Sequence, residues 1–223
     1  MYVGKEEAVF FVERQHLRKI DLGVDYDDYT TYKLPDWRPK VFEAFHFWLK
    51  WDRLPPWGSK NLDPECDGMD KENFIIHIDL YGKAKEYEVY SLMEAITDNI
   101  RKRETCEYGY FPGFLINTIY DITDDDSGLR NYLVDSFVFK TSNFRVDEDG
   151  RMNMSMREEA LGIIMKKFKA KHFKFLAECY MKIFDGKKMT DPNTTNKCTY
   201  HEHDEGQSCG SRKRKRKRDD DDE

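Results

Sequence analysis

The end of the chain carries residues whose types suit a metal ion. Cys198, His201 and His203 lie within six positions, and Cys209 follows six positions later. Thiolates and imidazoles are the ligands that zinc prefers, commonly four of them in a tetrahedron. Their spacing is not that of a standard zinc finger, and the neighbouring residues offer no apolar core. We therefore expect a disordered tail that holds no metal, with a zinc site at these four residues as the alternative.

A run of seven consecutive cations lies beyond this cluster and ends against the five acids Asp219–Glu223. Such short, accessible runs are typical of nuclear localisation signals that an importin binds, and the alternatives are a solvated charge run or a weak contact with nucleic acid. We expect nuclear import, with the cytoplasm as the alternative location. The run consists of Arg212, Lys213, Arg214, Lys215, Arg216, Lys217 and Arg218.

The other candidate ligands fit structural roles. His46, His77 and His172 lie in apolar helical patterns, so we expect them at core or boundary positions. Asp124–Asp126 lacks the twelve-residue pattern of a calcium loop and predicts a turn. Tryptophans at helical spacing among phenylalanines predict core packing rather than a ligand-binding box: Trp37, Trp48, Trp51 and Trp57.

Motifs of catalysis are missing from the sequence. It contains no Gly-x-Ser-x-Gly, no phosphate-binding glycine loop and no Gly-x-Gly-x-x-Gly. Cys106 follows the basic Arg101–Arg103, but Glu104 and Glu107 oppose formation of its thiolate. We therefore expect no enzyme, no catalytic residue and no cofactor.

Composition separates a body from a tail. Residues 185–223 contain few apolar side chains and cannot bury enough surface to offset the entropy of ordering. Without the two terminal charge runs, the chain has 30 basic and 38 acidic residues. An acidic body argues against a broad nucleic-acid surface, so any such role is expected to rest on the tail.

The sequence also gives expectations about the compartment. No stretch approaches the roughly 20 apolar residues that span a bilayer, and the first residues carry acids where a signal peptide has a basic end. Five scattered cysteines, an odd number, favour reduced thiols. We expect an intracellular protein without a membrane partner.

The elements that must position these residues change type along the chain. Tyr2–Val3, Ala8–Val12 and Tyr29–Leu34 predict a small sheet of two or three strands. Apolar residues at spacings of three and four then predict helices. These are a helix from Pro39 capped by Asp36, one after the cap Asp70, one over 86–103, a short one from Pro112, one over 129–138 capped by Ser127, and a long one over 157–184.

Four segments in this order resemble the BTB/POZ domain, and in particular its filamentous-fungal branch. YVGKEEAVFFVERQHL (2–17) resembles the opening hairpin and first helix of the family. LPDWRPKVFEAFHFWLKWDRLP (34–55) is similar to its most recognisable segment, a Leu-Pro strand end before an aromatic helix. IHIDLYGKAKEYEVYSLMEAITDNIRKR (76–103) resembles its paired helices. YDITDDDSGLRNYLVDSFVF (120–139) is similar to the fungal Ser-x-Leu-Arg helix.

The resemblance implies an α+β fold of BTB/POZ type, mostly helical, with the small sheet near the N-terminus and a long C-terminal helix. It divides the chain into a BTB/POZ-like domain (1–140), a helical extension (141–184) and the disordered charged tail (185–223). It also implies a non-catalytic protein–protein interaction module that forms a homodimer or binds other proteins.

One segment departs from the family. Arg18–Asp28 is shorter than the corresponding stretch, which in cullin-binding members carries a hydrophobic-x-Glu contact. A natural deletion and a gene-model error both fit. A substrate adaptor of a cullin-type ubiquitin ligase is therefore an alternative that lacks its contact, and a nuclear regulator that binds nucleic acid through the basic tail is another.

Overall fold

The structure is a computed structural model that describes residues 1–5, 7–17, 33–56, 71–103, 113–142, 158, 162, 172–185 and 190–203. These residues are mostly helical, with a small three-stranded sheet near the N-terminus, so the predicted α+β class is confirmed. The chain forms two compact units, an N-terminal unit, Met1–Ile96, and a C-terminal unit, Thr97–Glu223.

The sheet of the N-terminal unit contains β1 (Tyr2–Val3), β2 (Ala8–Val9) and β3 (Lys33–Leu34) in the order β2-β1-β3. The predicted hairpin is confirmed, because β1 pairs antiparallel with β2, Tyr2 opposite Val9. β3 adds in parallel on the other side, Tyr2 opposite Lys33. The strands are shorter than expected, and residues 29–32 lie outside the described part of the chain.

Gly4 is required at the hairpin turn. Its φ of 73° lies in the left-handed region, which side chains other than glycine adopt at a cost. A Cβ atom there would also lie 3.0 Å from the carbonyl oxygen of Trp37. The turn can therefore pack closely against the chain that leads into the first long helix.

After the short α1 (Arg14–Leu17), α2 (Pro39–Trp51) forms the aromatic centre of this unit. Pro39 occupies the first helical turn as predicted, but the predicted cap is wrong, because Arg38 rather than Asp36 precedes the helix and makes no side-chain capping bond. The core tryptophans are confirmed for Trp37 and Trp48, which are buried. The prediction is wrong for Trp51, which is half exposed because it lies in the last turn of the helix, and Trp57 lies outside the described residues.

Two further helices, α3 (Lys71–Glu86) and α4 (Tyr90–Arg103), are separated by a tight break. The predicted third helix started at Glu86, but Glu88 has a φ of 53°, which helical backbone does not allow. His77 in α3 is buried, as predicted for a core histidine. His46 of α2 is half-buried beside Phe10, with ring centroids 6.5 Å apart, and burial lowers its pKa.

In the C-terminal unit, α6 (Gly128–Ser142) packs against α5 (Gly113–Ile122), α7 (Phe173–Phe184) and a 3₁₀ helix, Lys197–Tyr200. The predicted long helix over 157–184 differs from the structure. Glu158 and Gly162 are helical, but α7 begins only at Phe173. His172 leaves helical geometry with a ψ of 26° and is buried, in line with its predicted boundary position.

Arg130 ties three helices of this unit together. Its side chain is 2% exposed, and Nη2 donates to the carbonyl oxygens of Thr123 at 2.6 Å and Tyr120 at 3.2 Å. The guanidinium pairs with Asp125 in the predicted turn and lies 3.8 Å from the Glu178 carboxylate of α7. Several residues of the segment that carries the family resemblance therefore have structural roles.

Candidate metal centre

Residues 190–203, the docked segment, pack against the end of α4 and against α6. This differs from the expectation of a disordered tail from residue 185 onward. The docked segment is rich in polar residues, but some of its groups are buried because they bind residues elsewhere in the C-terminal unit. Pro192 and Tyr200 are both buried. The docked segment is therefore the scaffold on which the Cys and His residues lie.

Arg101 of α4 binds the first half of the docked segment. Its Nη2 donates to the carbonyl oxygens of Pro192 at 2.8 Å and Thr195 at 2.9 Å. The guanidinium also lies 5.3 Å from the ring centroid of Tyr200, within reach of a cation–π interaction. One buried cation thus fixes two carbonyls and one aromatic ring of the segment.

Tyr200 fixes the second half on α6. Its hydroxyl donates to Asp135 Oδ2 at 2.9 Å, and its ring lies edge-on to Tyr132 at 5.3 Å. Burial, and then the Asp135 carboxylate, raise the pKa of this hydroxyl. A Cβ atom on Gly128 would lie 2.3 Å from the Tyr200 carbonyl oxygen, so only glycine permits this approach.

Glu202 completes the attachment at the first turn of α6. Its Oε1 accepts from the backbone N–H of Gly128 at 3.1 Å and from Ser127 Oγ at 2.9 Å. The first N–H groups of a helix have no partner within the helix, and its N-terminal end attracts negative charge. A carboxylate from the docked segment therefore stabilises the start of α6, where Ser127 was the predicted cap.

The local backbone brings three candidate ligands to one side. Cys198 lies in the 3₁₀ helix and His201 follows it directly, three residues on, which is one turn of such a helix. His201 has extended backbone, and alternate residues of an extended chain face the same way, which brings in His203. The ligand atoms of all three lie within 4.8 Å of one another, and each residue is half-buried.

Asp98 of α4 orients one of the imidazoles. His201 Nε2 lies 3.2 Å from Asp98 Oδ1. Because an ionised carboxylate only accepts, a neutral His201 donates from Nε2 and carries its lone pair on Nδ1. A carboxylate behind a ligating histidine is the usual arrangement around protein-bound zinc.

The structure brings together three of the four residues named as zinc candidates. Cys209, the basic run Arg212–Arg218 and the short segment Arg18–Asp28 lie outside the described residues. The supporting residues Asp98, Arg101 and Gly128 were not found from the sequence. The sequence offered one sign of this support, namely Glu202, an acidic residue between His201 and His203.

Neither a family model, nor a curated protein, nor a solved structure matches the chain. Among the helices in the described part of the chain, none is long and apolar enough to cross a membrane.

Proposed function

We propose that the chain is a non-catalytic protein-interaction module, similar to BTB/POZ domains, that self-associates through the outer face of α7. The observation that carries this proposal is a stripe of exposed apolar side chains on that helix, the α7 stripe. Phe173 is 73%, Tyr180 is 44% and Met181 is 68% exposed. Phe184 adds its ring by stacking on Tyr180 at 4.6 Å.

Helix geometry makes the stripe a second apolar face. Phe175, Cys179 and Ile183, at spacings of four, are the buried residues of α7. At 3.6 residues per turn, the four residues of the α7 stripe lie roughly 100–160° around the helix from the middle of this buried face. A surface helix normally opposes its apolar face with polar residues, and a helix that is apolar on both faces favours burial on both. The outer face thus favours a partner surface.

A second copy of the same helix supplies a complementary surface. In an antiparallel pair centred on Tyr180, Phe173 of one copy approaches the C-terminal end of the other α7. The same arrangement brings the exposed Lys174 toward Asp185 of the other copy. Opposite charges at the two ends of the stripe favour this two-fold pairing over a parallel one.

The stripe is short, so the dimer is expected to be weak. Twelve helical residues extend about 18 Å, and a few side chains cover less than the roughly 800 Å² per partner of a standard interface. We expect a rapid, concentration-dependent equilibrium between monomer and dimer.

Disulfide trapping tests this arrangement. In the two-fold pair, Tyr180→Cys places two thiols next to each other, whereas the thiols of Phe173→Cys lie roughly 21 Å apart. Disulfides form only when the Cα atoms lie within about 7 Å. Mild oxidation should therefore link Tyr180→Cys into dimers above the wild-type background and leave Phe173→Cys at that background. Equal linking of both variants, or of neither, would refute the pairing.

A further inference from the structure

We propose that Cys198, His201 and His203 form a zinc site that fastens the docked segment to the C-terminal unit. The inference is independent of the self-association proposed above. It rests on three observations, namely the chemistry of the three ligands, their convergence, and the support they receive from α4 and α6.

The ligand set suits zinc in particular. One thiolate and two imidazoles are borderline-soft donors, which match Zn²⁺ better than Mg²⁺ or Ca²⁺, since those ions prefer oxygen ligands. Zn–S bonds of about 2.3 Å and Zn–N bonds of about 2.0 Å place one sulfur and two nitrogens of a tetrahedron roughly 3.3–3.5 Å apart. The three atoms lie within 4.8 Å of one another, so the farthest pair has to approach by about 1.5 Å at most. The His201 side chain is only 4% exposed. Cys198 carries a reduced thiol.

The surrounding structure preorganises the site. The Asn196 side chain accepts from the Cys198 backbone N–H at 3.1 Å and fixes the start of the 3₁₀ helix. Tyr200 and Glu202, on either side of His201, are bound to Asp135 and Gly128. Because the backbone on both sides of His201 is held, little conformational entropy has to be lost when the metal binds.

Asp98 is inferred to be a positioning residue. It holds His201 by Nε2, so His201 would present Nδ1 to the metal. The fourth position of the tetrahedron is left to water or to a group from outside the described residues. Zinc would thereby connect the 3₁₀ helix with the extended residues after it, and through His201 would reach α4.

Metal titration of the untagged full-length chain tests the inference. After chelator treatment, Zn²⁺ is titrated in competition with a chromophoric chelator, and Co²⁺ is used as a spectroscopic probe. We expect one equivalent of metal, a sulfur-to-cobalt charge-transfer band, and a raised melting temperature in Zn²⁺. Cys198→Ser, His201→Asn and His203→Asn should each weaken Zn²⁺ binding by at least about 100-fold. His46→Asn, which alters a histidine of the N-terminal unit, should leave it unchanged.

Two further variants separate the ligands from their support. Asp98→Asn should weaken Zn²⁺ binding by about 10- to 100-fold while the cobalt spectrum keeps its shape, because the ligands are unaltered. Cys209→Ser should retain the charge-transfer band. Far-UV circular dichroism checks that each variant is folded. Binding in the wild type no tighter than in His203→Asn would overturn the site, as would loss of the band in Cys209→Ser but not in Cys198→Ser.

Discussion

Arg130 has five N–H donors and a charge to satisfy in a place where almost none of its side chain meets water. Thr123 and Tyr120 supply carbonyl oxygens, and Asp125 and Glu178 supply carboxylates from two sides. The guanidinium carbon also lies 4.2 Å from the ring centroid of Tyr120. The arrangement joins three helices through one side chain, so its loss should affect the whole C-terminal unit.

We expect Arg130→Met to lower the free energy of unfolding by about 3 kcal/mol, since buried carbonyls lose their donors and Glu178 loses a cation. Lys174→Met is the matched control. Lys174 approaches the same Asp125 carboxylate at 4.0 Å but is 74% exposed, and exposed pairs contribute about 0–1 kcal/mol. Urea unfolding measures both variants. Equal losses would show that Arg130 behaves as a surface charge.

The close packing at Gly128 can be tested by adding a single methyl group. In Gly128→Ala the added Cβ meets the Tyr200 carbonyl oxygen at 2.3 Å, which is backbone and has little room to yield. We expect a loss of about 1–3 kcal/mol and faster proteolysis within residues 190–203. Gly162→Ala has nothing within 4 Å and lies in a helix, so it should stabilise by about 0.5–1 kcal/mol. A neutral Gly128→Ala would contradict the close packing of the docked segment.

We expect the free energy of unfolding to fall at alkaline pH because of two buried tyrosines, Tyr120 and Tyr200. Burial, and then Glu178, raise the pKa of Tyr120, and burial and Asp135 raise that of Tyr200, from an ordinary value of 10.0. Because the folded state holds these protons more tightly, the stabilisation is fully present below about pH 10 and is lost as the pH rises further. Urea unfolding at several pH values should show this fall, and it should be shallower in Tyr200→Phe. An equally steep fall in that variant would refute the role of Tyr200.

The helix α2 and the hairpin of β1 and β2 could be predicted from the sequence. The spacing of Phe42, Phe45 and Trp48 requires a helix with a buried face, and α2 has both. The hairpin of β1 and β2 follows from apolar residues around a glycine turn. These features depend on neighbours within a few residues, and local patterns report on such neighbours.

The docked segment could not be predicted in the same way. Its partners lie far away in the chain: Arg101 is 91 residues before Pro192, Asp135 is 65 before Tyr200, and Gly128 is 74 before Glu202. A polar segment can be ordered by distant anchors of this kind without an apolar stripe of its own. The zinc candidates were visible as residue types, whereas their convergence depends on the turn that these anchors hold.

The nuclear import expected from the sequence would depend on the basic run Arg212–Arg218. A fluorescent fusion of the full chain should accumulate in the nucleus, and a fusion without residues 211–218 should not. The deletion removes none of the described contacts, so the melting temperature should stay the same. An unchanged distribution of the shortened fusion would refute nuclear import by this run.

Light scattering over a range of protein concentrations tests self-association through the α7 stripe. From about 1 to about 500 µM, the average mass of the wild-type chain should rise from 26.7 kDa toward twice that value. Met181→Glu, which places a charge in the stripe, should remain a monomer throughout. Gln15→Glu, which adds the same charge at an exposed site of the N-terminal unit, should behave as the wild type does. A wild-type mass that stays at 26.7 kDa over the whole range would refute self-association.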